Sequence, residues 1–237
     1  MADVQRPPSD AENERNLAEG RKFDAEAAHL AAQAAEAQHK AELARINLER
    51  EVEKRDRERH KDGYADRIYR FLSSVSESSV VACIDQLNAW HREDPDCQMM
   101  IVFDSPGGAV IPGFHLFDHI LQLREDHQID TVTRGYAASM GGILLQAGER
   151  RLMGPNATLM LHEVSFGAQG KITDVEDTVE FAKLLWDRAL DIFAERCKGS
   201  GVERPLTRNQ LARRSNRKNW WIKATDALKF GLVDAVQ

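Results

Sequence analysis

Three short stretches carry residue types that do chemistry together. "DSPGG" at 104–108 ends in two glycines, and such a turn leaves backbone N–H groups free to donate to a developing oxyanion. "GYAASMGG" at 135–142 holds Ser139 among alanines and glycines, just after a strand-like run and before a helical one. A hydroxyl there is exposed, and the helix dipole favours negative charge forming beside it. "LMLHE" at 159–163 sets His162 at the end of an apolar run, where an imidazole can take a proton from a serine. Each stretch also has a plain alternative: a tight turn, a small-residue seam between packed backbones, a satisfied core histidine.

The elements that would position these residues alternate in type. Strand-like runs are "ADRIYRFLSSV", "CQMMIVFDS", "DTVTRGY" and a strand–turn–strand in "RRLMGPNATLMLHE". Between them lie "SSVVACIDQLNAWHRED", opened by a serine cap, "VIPGFHLFDHILQLRE" and "AASMGGILLQAG", all read as helices. A long helix spans 173–198, and the tail "KATDALKFGLVDAV" gives a short helix, a glycine break and a final strand. Such alternation predicts an α/β domain with a largely parallel sheet, over residues 63–237. Open sheets of this kind carry their sites at the carboxyl ends of strands, where all three stretches fall.

Residues 1–62 differ in character. Ten of the twenty residues from 25 to 44 are alanine. Phe23, Leu30, Ala37 and Ala44 recur every seven residues, and Ala27, Ala34, Ala41 and Leu48 follow four behind. That is the seam of a coiled coil, so a long alanine-rich charged helix is expected, with a single exposed helix or arm as the plainer outcome. An alanine seam buries little area and needs many copies held together.

Composition narrows the function classes. The 237 residues are 42% hydrophobic and 30% charged, with a formal net charge of -6 that disfavours nucleic acid as a general partner. The basic run at 204–218 carries six cations and no acid, and reads as solvated surface, with a nucleic-acid contact as the alternative. Cys83, Cys97 and Cys197 are odd in number and widely spaced, which fits reduced thiols. His115, His119 and His127 lack carboxylates at a metal-site spacing, so neither metal nor cofactor is expected. No apolar run approaches the roughly 18 residues of a membrane span, and no apolar leader core is present, so a soluble cytoplasmic protein is expected.

Taken in order, "DSPGG", "GYAASMGG", "LMLHEVSFGAQGKITDVED" and the closing "NWWIKATDALKFGLVDAV" resemble the proteolytic subunit of the Clp protease, ClpP, with a flavour of the phage head-maturation branch. The resemblance runs from residue 64 to 237. It implies the ClpP/crotonase-type spiral of ββα units, with the helix at 173–198 as a protruding handle and "SFGAQGKI" as a strand that pairs with peptide substrate. It implies Ser139 as nucleophile, His162 as general base, and the N–H groups of Gly108 and Met140 as the oxyanion hole. It further implies a homo-oligomeric ring acting on a protein or peptide substrate, with an unfoldase or a capsid protein as partner.

Two features depart from that family. The third triad position is occupied by Asn219, whose amide oxygen can accept the imidazole Nδ1–H but carries no charge. Asp226 or Asp234 takes that place only if the last segment aligns differently. The second departure is the N-terminal helix itself. The function expected is therefore a serine endopeptidase of reduced or conditional activity. An assembly or binding protein on the same fold, acting through its N-terminal helix, is the alternative. Acyl-CoA chemistry of crotonase type is disfavoured, because it has no need of the Ser139 and His162 pair.

Overall fold

The computed structural model describes residues 67–237 and, before them, residues 33, 36–38, 40–48, 50 and 51. The chain falls into two units, Met1–Lys61 and Asp62–Gln237. The described residues of the first unit are helical and almost all exposed. Along the helix, Glu36 pairs with Lys40 at 2.6 Å and Glu42 with Arg45 at 2.9 Å. Solvated pairs of this spacing add only about 0.3–0.5 kcal/mol each. Ala37, Ala41, Ala44 and Leu48 of the expected seam are helical and exposed. Phe23, Ala27, Leu30 and Ala34 lie outside the described residues, as does most of the expected long helix.

The second unit is a mixed α/β body around a parallel sheet, compatible with the expected ClpP-type fold. Its strands are β1 (Ile68–Phe71), β2 (Met99–Ser105), β3 (Ile129–Ala138), β4 (Arg151–Met153), β5 (Thr158–Leu161), β6 (Trp220–Lys223) and β7 (Ala235–Val236). Its helices are α1 (Glu77–Glu93), α2 (Val110–Leu123), α3 (Met140–Leu145), α4 (Ile172–Lys198), α5 (Arg208–Ser215) and α6 (Ala224–Lys229). The sheet runs β1-β2-β3-β4-β7, all parallel, with β5 parallel to β3 and β6 antiparallel to β5.

Local chemistry sets these elements. Ser76 caps α1: its hydroxyl accepts the Ser79 N–H, and the Ser79 hydroxyl accepts the Ser76 N–H. Val80, Cys83, Leu87 and Trp90 then recur at helical spacing and bury one face. Strand β2 alternates buried and partly buried residues, so Met99, Ile101 and Phe103 all reach the core.

The turning point of the fold is a bulge in β3. Phe103 pairs with Thr133, yet Ser105 pairs with Ala137, so β3 carries two extra residues against β2. Before the bulge, Thr131–Thr133 pair with β4; beyond it, Tyr136–Ala138 pair with β5. Asp104 holds the bulge by accepting the Tyr136 N–H at 3.2 Å. A side chain on Gly135 would stand 2.6 Å from that carboxylate and would have to push it aside.

Four sequence expectations change. Strand β3 runs past Tyr136 to Ala138, and α3 begins only at Met140, so a single residue, Ser139, separates strand from helix. The basic run contains a helix, α5, capped by Thr207 and Gln210, and β6 follows it. Its charges are partly used: Arg208 pairs with Asp187 and Asp191 of α4, and Arg214 lies over the rings of Trp220 and Phe230 at 5.2 and 4.8 Å. Residues 163–171 form no strand in this chain.

Candidate active site

Strands β3 and β5 are parallel, with Ala138 opposite Met160, so their carboxyl ends deliver Ser139 and His162 side by side. The Ser139 N–H donates to the Met160 carbonyl at 2.9 Å, which continues the ladder one step past the strand. Ser139 Oγ and His162 Nε2 are then 2.7 Å apart.

Ser139 adopts φ 54° and ψ −123°. A non-glycine residue in that region costs about 1–3 kcal/mol and persists only where its surroundings impose it. Here the surroundings are tight. A Cβ on Gly107 would lie 2.6 Å from Ser139 Cβ, and one on Gly141 would lie 3.1 Å from the Ser105 carbonyl oxygen. The sharp strand-to-helix turn lifts the hydroxyl out of the backbone, as a nucleophile elbow does. The two readings of "GYAASMGG" are therefore compatible: the glycines serve close packing, and the packing holds the serine in its strained form.

The glycine turn after β2 approaches from the other side. The Val75 N–H donates to the Gly107 carbonyl and the Ala109 N–H to the Val75 carbonyl, both at 2.8 Å. In that parallel bridge the Gly108 N–H points away from Val75. The Met140 N–H opens α3 and is one of the groups a helix leaves unpaired. Among the described residues, neither N–H has an acceptor.

Gly108, Ser139, Met140 and His162 line one cavity of about 300 Å³. Its remaining wall is mostly apolar, from Val110, Ile143, Met160, Leu185, Trp186 and Phe193. The last three come from α4, the helix expected only as a protruding handle.

On its other side His162 borders a second recess, shared with Glu163, Arg217, Lys218 and Asn219. Leu161 pairs with Trp220 in the antiparallel β5–β6 ladder, so the next step of that register sets His162 opposite Asn219. Opposed residues of an antiparallel pair share a face. No hydrogen bond joins the two side chains among the described residues, and Asn219 is exposed. The two alternatives are placed elsewhere. Asp234 is bound to Arg151 and Asp226 sits in the first turn of α6, and neither lines the recess.

A family model, Clp protease, matches residues 53–237. The chain belongs to the Clp protease family. That family is one of serine peptidases, commonly oligomeric and acting on peptides. In this Clp protease family member the match covers all of the second unit's described residues. Among the described residues there is no group of three metal-ligating side chains, and no helix is long and apolar enough to cross a membrane. His127 is instead buried against His91 Nδ1 at 2.7 Å and the Cys97 carbonyl at 3.0 Å.

Proposed function

We propose that the chain is a serine endopeptidase in which Ser139 attacks the scissile carbonyl and His162 acts as general base. The observation that carries this reading is the 2.7 Å contact between Oγ and Nε2 at a serine of positive φ, facing an apolar cavity. His162 takes the hydroxyl proton as Oγ bonds to the carbonyl carbon. The oxyanion forms against the N–H groups of Gly108 and Met140. His162 returns its proton to the leaving amine, and water, activated by the same imidazole, hydrolyses the acyl-enzyme.

Asn219 takes the third position, opposite His162 in the strand register. Its amide oxygen can fix the imidazole tautomer but adds no charge to stabilise imidazolium, so turnover is slow relative to an aspartate enzyme. The apolar wall favours substrates with an apolar side chain just before the cleaved bond. Assembly into a homo-oligomer is supported by an exposed apolar series on and before α4: Phe166, Ile172, Phe181 and Leu184 are 48%, 78%, 52% and 63% exposed. Three of them stand on or at the start of one helix, as a surface for a second copy would need.

The test is hydrolysis of short peptides differing only at the residue before the cleaved bond. Cleavage after leucine, methionine or phenylalanine, lost in Ser139→Ala, is the expected result. Equal cleavage by Ser139→Ala would defeat the reading.

A further inference from the structure

We infer that Ser105 is a positioning residue for the oxyanion hole, an inference that rests on the peptidase reading above. Ser105 is the last residue of β2 and is fully buried. Its hydroxyl donates to the Ser73 carbonyl at 2.6 Å and accepts the Gly107 N–H at 3.2 Å. A single buried hydroxyl thus uses both its donor and its acceptor capacity on the backbone. It fixes the middle residue of the Pro106–Gly108 turn and anchors it to the segment after β1.

The same residue also touches the other half of the site. A side chain on Gly141 would meet the Ser105 carbonyl oxygen at 3.1 Å and Ser105 Cβ at 3.3 Å, so the first turn of α3 rests on Ser105. Gly107 is next to Gly108, and Gly141 is next to Met140. Ser105 is therefore one step removed from both oxyanion donors and sets the distance between them. Val75 fixes the peptide plane that carries the Gly108 N–H, by donating to the Gly107 carbonyl, and Ser105 fixes the plane before it through the Gly107 N–H, so the two residues aim the Gly108 donor together.

Ser105 touches no reacting atom. Its loss should act on the transition state and leave substrate binding alone, because the donors it aims are fully used only when the oxyanion forms. Removing an oxyanion donor outright costs about 10²–10³ in kcat. Misaiming one costs less, and Ser105→Ala is expected to lower kcat by about 10- to 100-fold with KM within about twofold.

The experiment compares the full chain with Ser105→Ala and with Ser105→Cys, which keeps the volume and a weak donor. Three readouts are taken on each: kcat and KM on a short peptide, affinity for a peptide boronate that forms a tetrahedral adduct on Ser139, and amide hydrogen exchange at Gly107. The expected result is a parallel fall in kcat and boronate affinity, faster exchange at Gly107, whose N–H loses its acceptor, and intermediate values for Ser105→Cys. Exchange at Gly107 that matches wild type overturns the inference whether or not the enzyme turns over. Equal losses of boronate and of a cleaved-product peptide overturn it too, since they mark general loosening. A wild-type protein that binds no boronate while exchange responds as expected defeats the nucleophile assignment instead.

Discussion

At the scale of single residues, the site is a strained serine held by glycines against a histidine that has one side committed and one open. Gly107 has φ 91° and no room for a methyl group beside Ser139 Cβ. Gly107→Ala is expected to cost about 2 kcal/mol or more of stability and to abolish peptidase activity, read by thermal melting and peptide turnover. The open side of His162 is where Asn219 stands. Aspartate there would add the charge that steadies imidazolium, and the corresponding loss in a trypsin-like enzyme is about 10⁴ in kcat. Asn219→Asp is therefore expected to raise kcat by about tenfold or more with little change in KM. No gain would mean that the recess beside Arg217 and Lys218 does not present residue 219 to the ring. Ser139 and His162 were legible in the sequence because a strand end exposes its next residue. The strain at Ser139 was not, since nothing in "GYAASMGG" says that only one residue separates strand from helix.

At the scale of elements, β3 decides the geometry by changing neighbours in mid-strand. The bulge at 134–136 lets one strand pair with β4 and then β5, and so bring Ser139 alongside His162. Asp104 pins it through the Tyr136 N–H. Asp104→Ala is expected to lower activity severalfold and to speed amide exchange at Tyr136, while exchange in the β2–β3 ladder before the bulge stays slow. Uniformly faster exchange along β3 would count against a local role. Alternating patterns made most strands and helices readable, but a bulge leaves no periodic signature. Helix α5 did leave one, the Thr207–Gln210 capping box, which the density of cations around it obscured. The cations themselves found partners that no local pattern specifies: Asp187 and Asp191 on α4, and the rings of Trp220 and Phe230.

At the scale of the whole molecule, the C-terminal strand is locked by one buried charge. Arg151, 1% exposed, binds Asp234 through its side chain and backbone, and also Gln146 Oε1 at 2.9 Å and the Gly231 carbonyl at 3.0 Å. Burial by itself would raise the Asp234 carboxyl. Hydrogen bonds and charge from Arg151, with Arg196 farther off, outweigh it and hold the group below the ordinary carboxylate value. A depressed carboxylate contributes stability that is fully present above its unfolded pKa, near 4, and is lost as pH falls through the lower folded value. Wild type should thus melt above Asp234→Asn at neutral pH, with the gap closing below about pH 4. A gap independent of pH would show that the ion pair is not its source. Burial acts on the thiols as well: it raises Cys83 strongly and pushes Cys197 up to about 11. All three cysteines are free and buried, so the folded protein should resist maleimide at neutral pH and react only on unfolding.

The claim that ties these scales together is that Ser139 is an activated nucleophile. Intact-mass analysis after exposure to a fluorophosphonate tests it most directly. The account predicts one adduct per chain, mapped to the peptide holding Ser139, absent in Ser139→Ala and much slowed in His162→Ala. A native, assembled wild-type protein that gains no adduct, or gains it equally in Ser139→Ala, would contradict it.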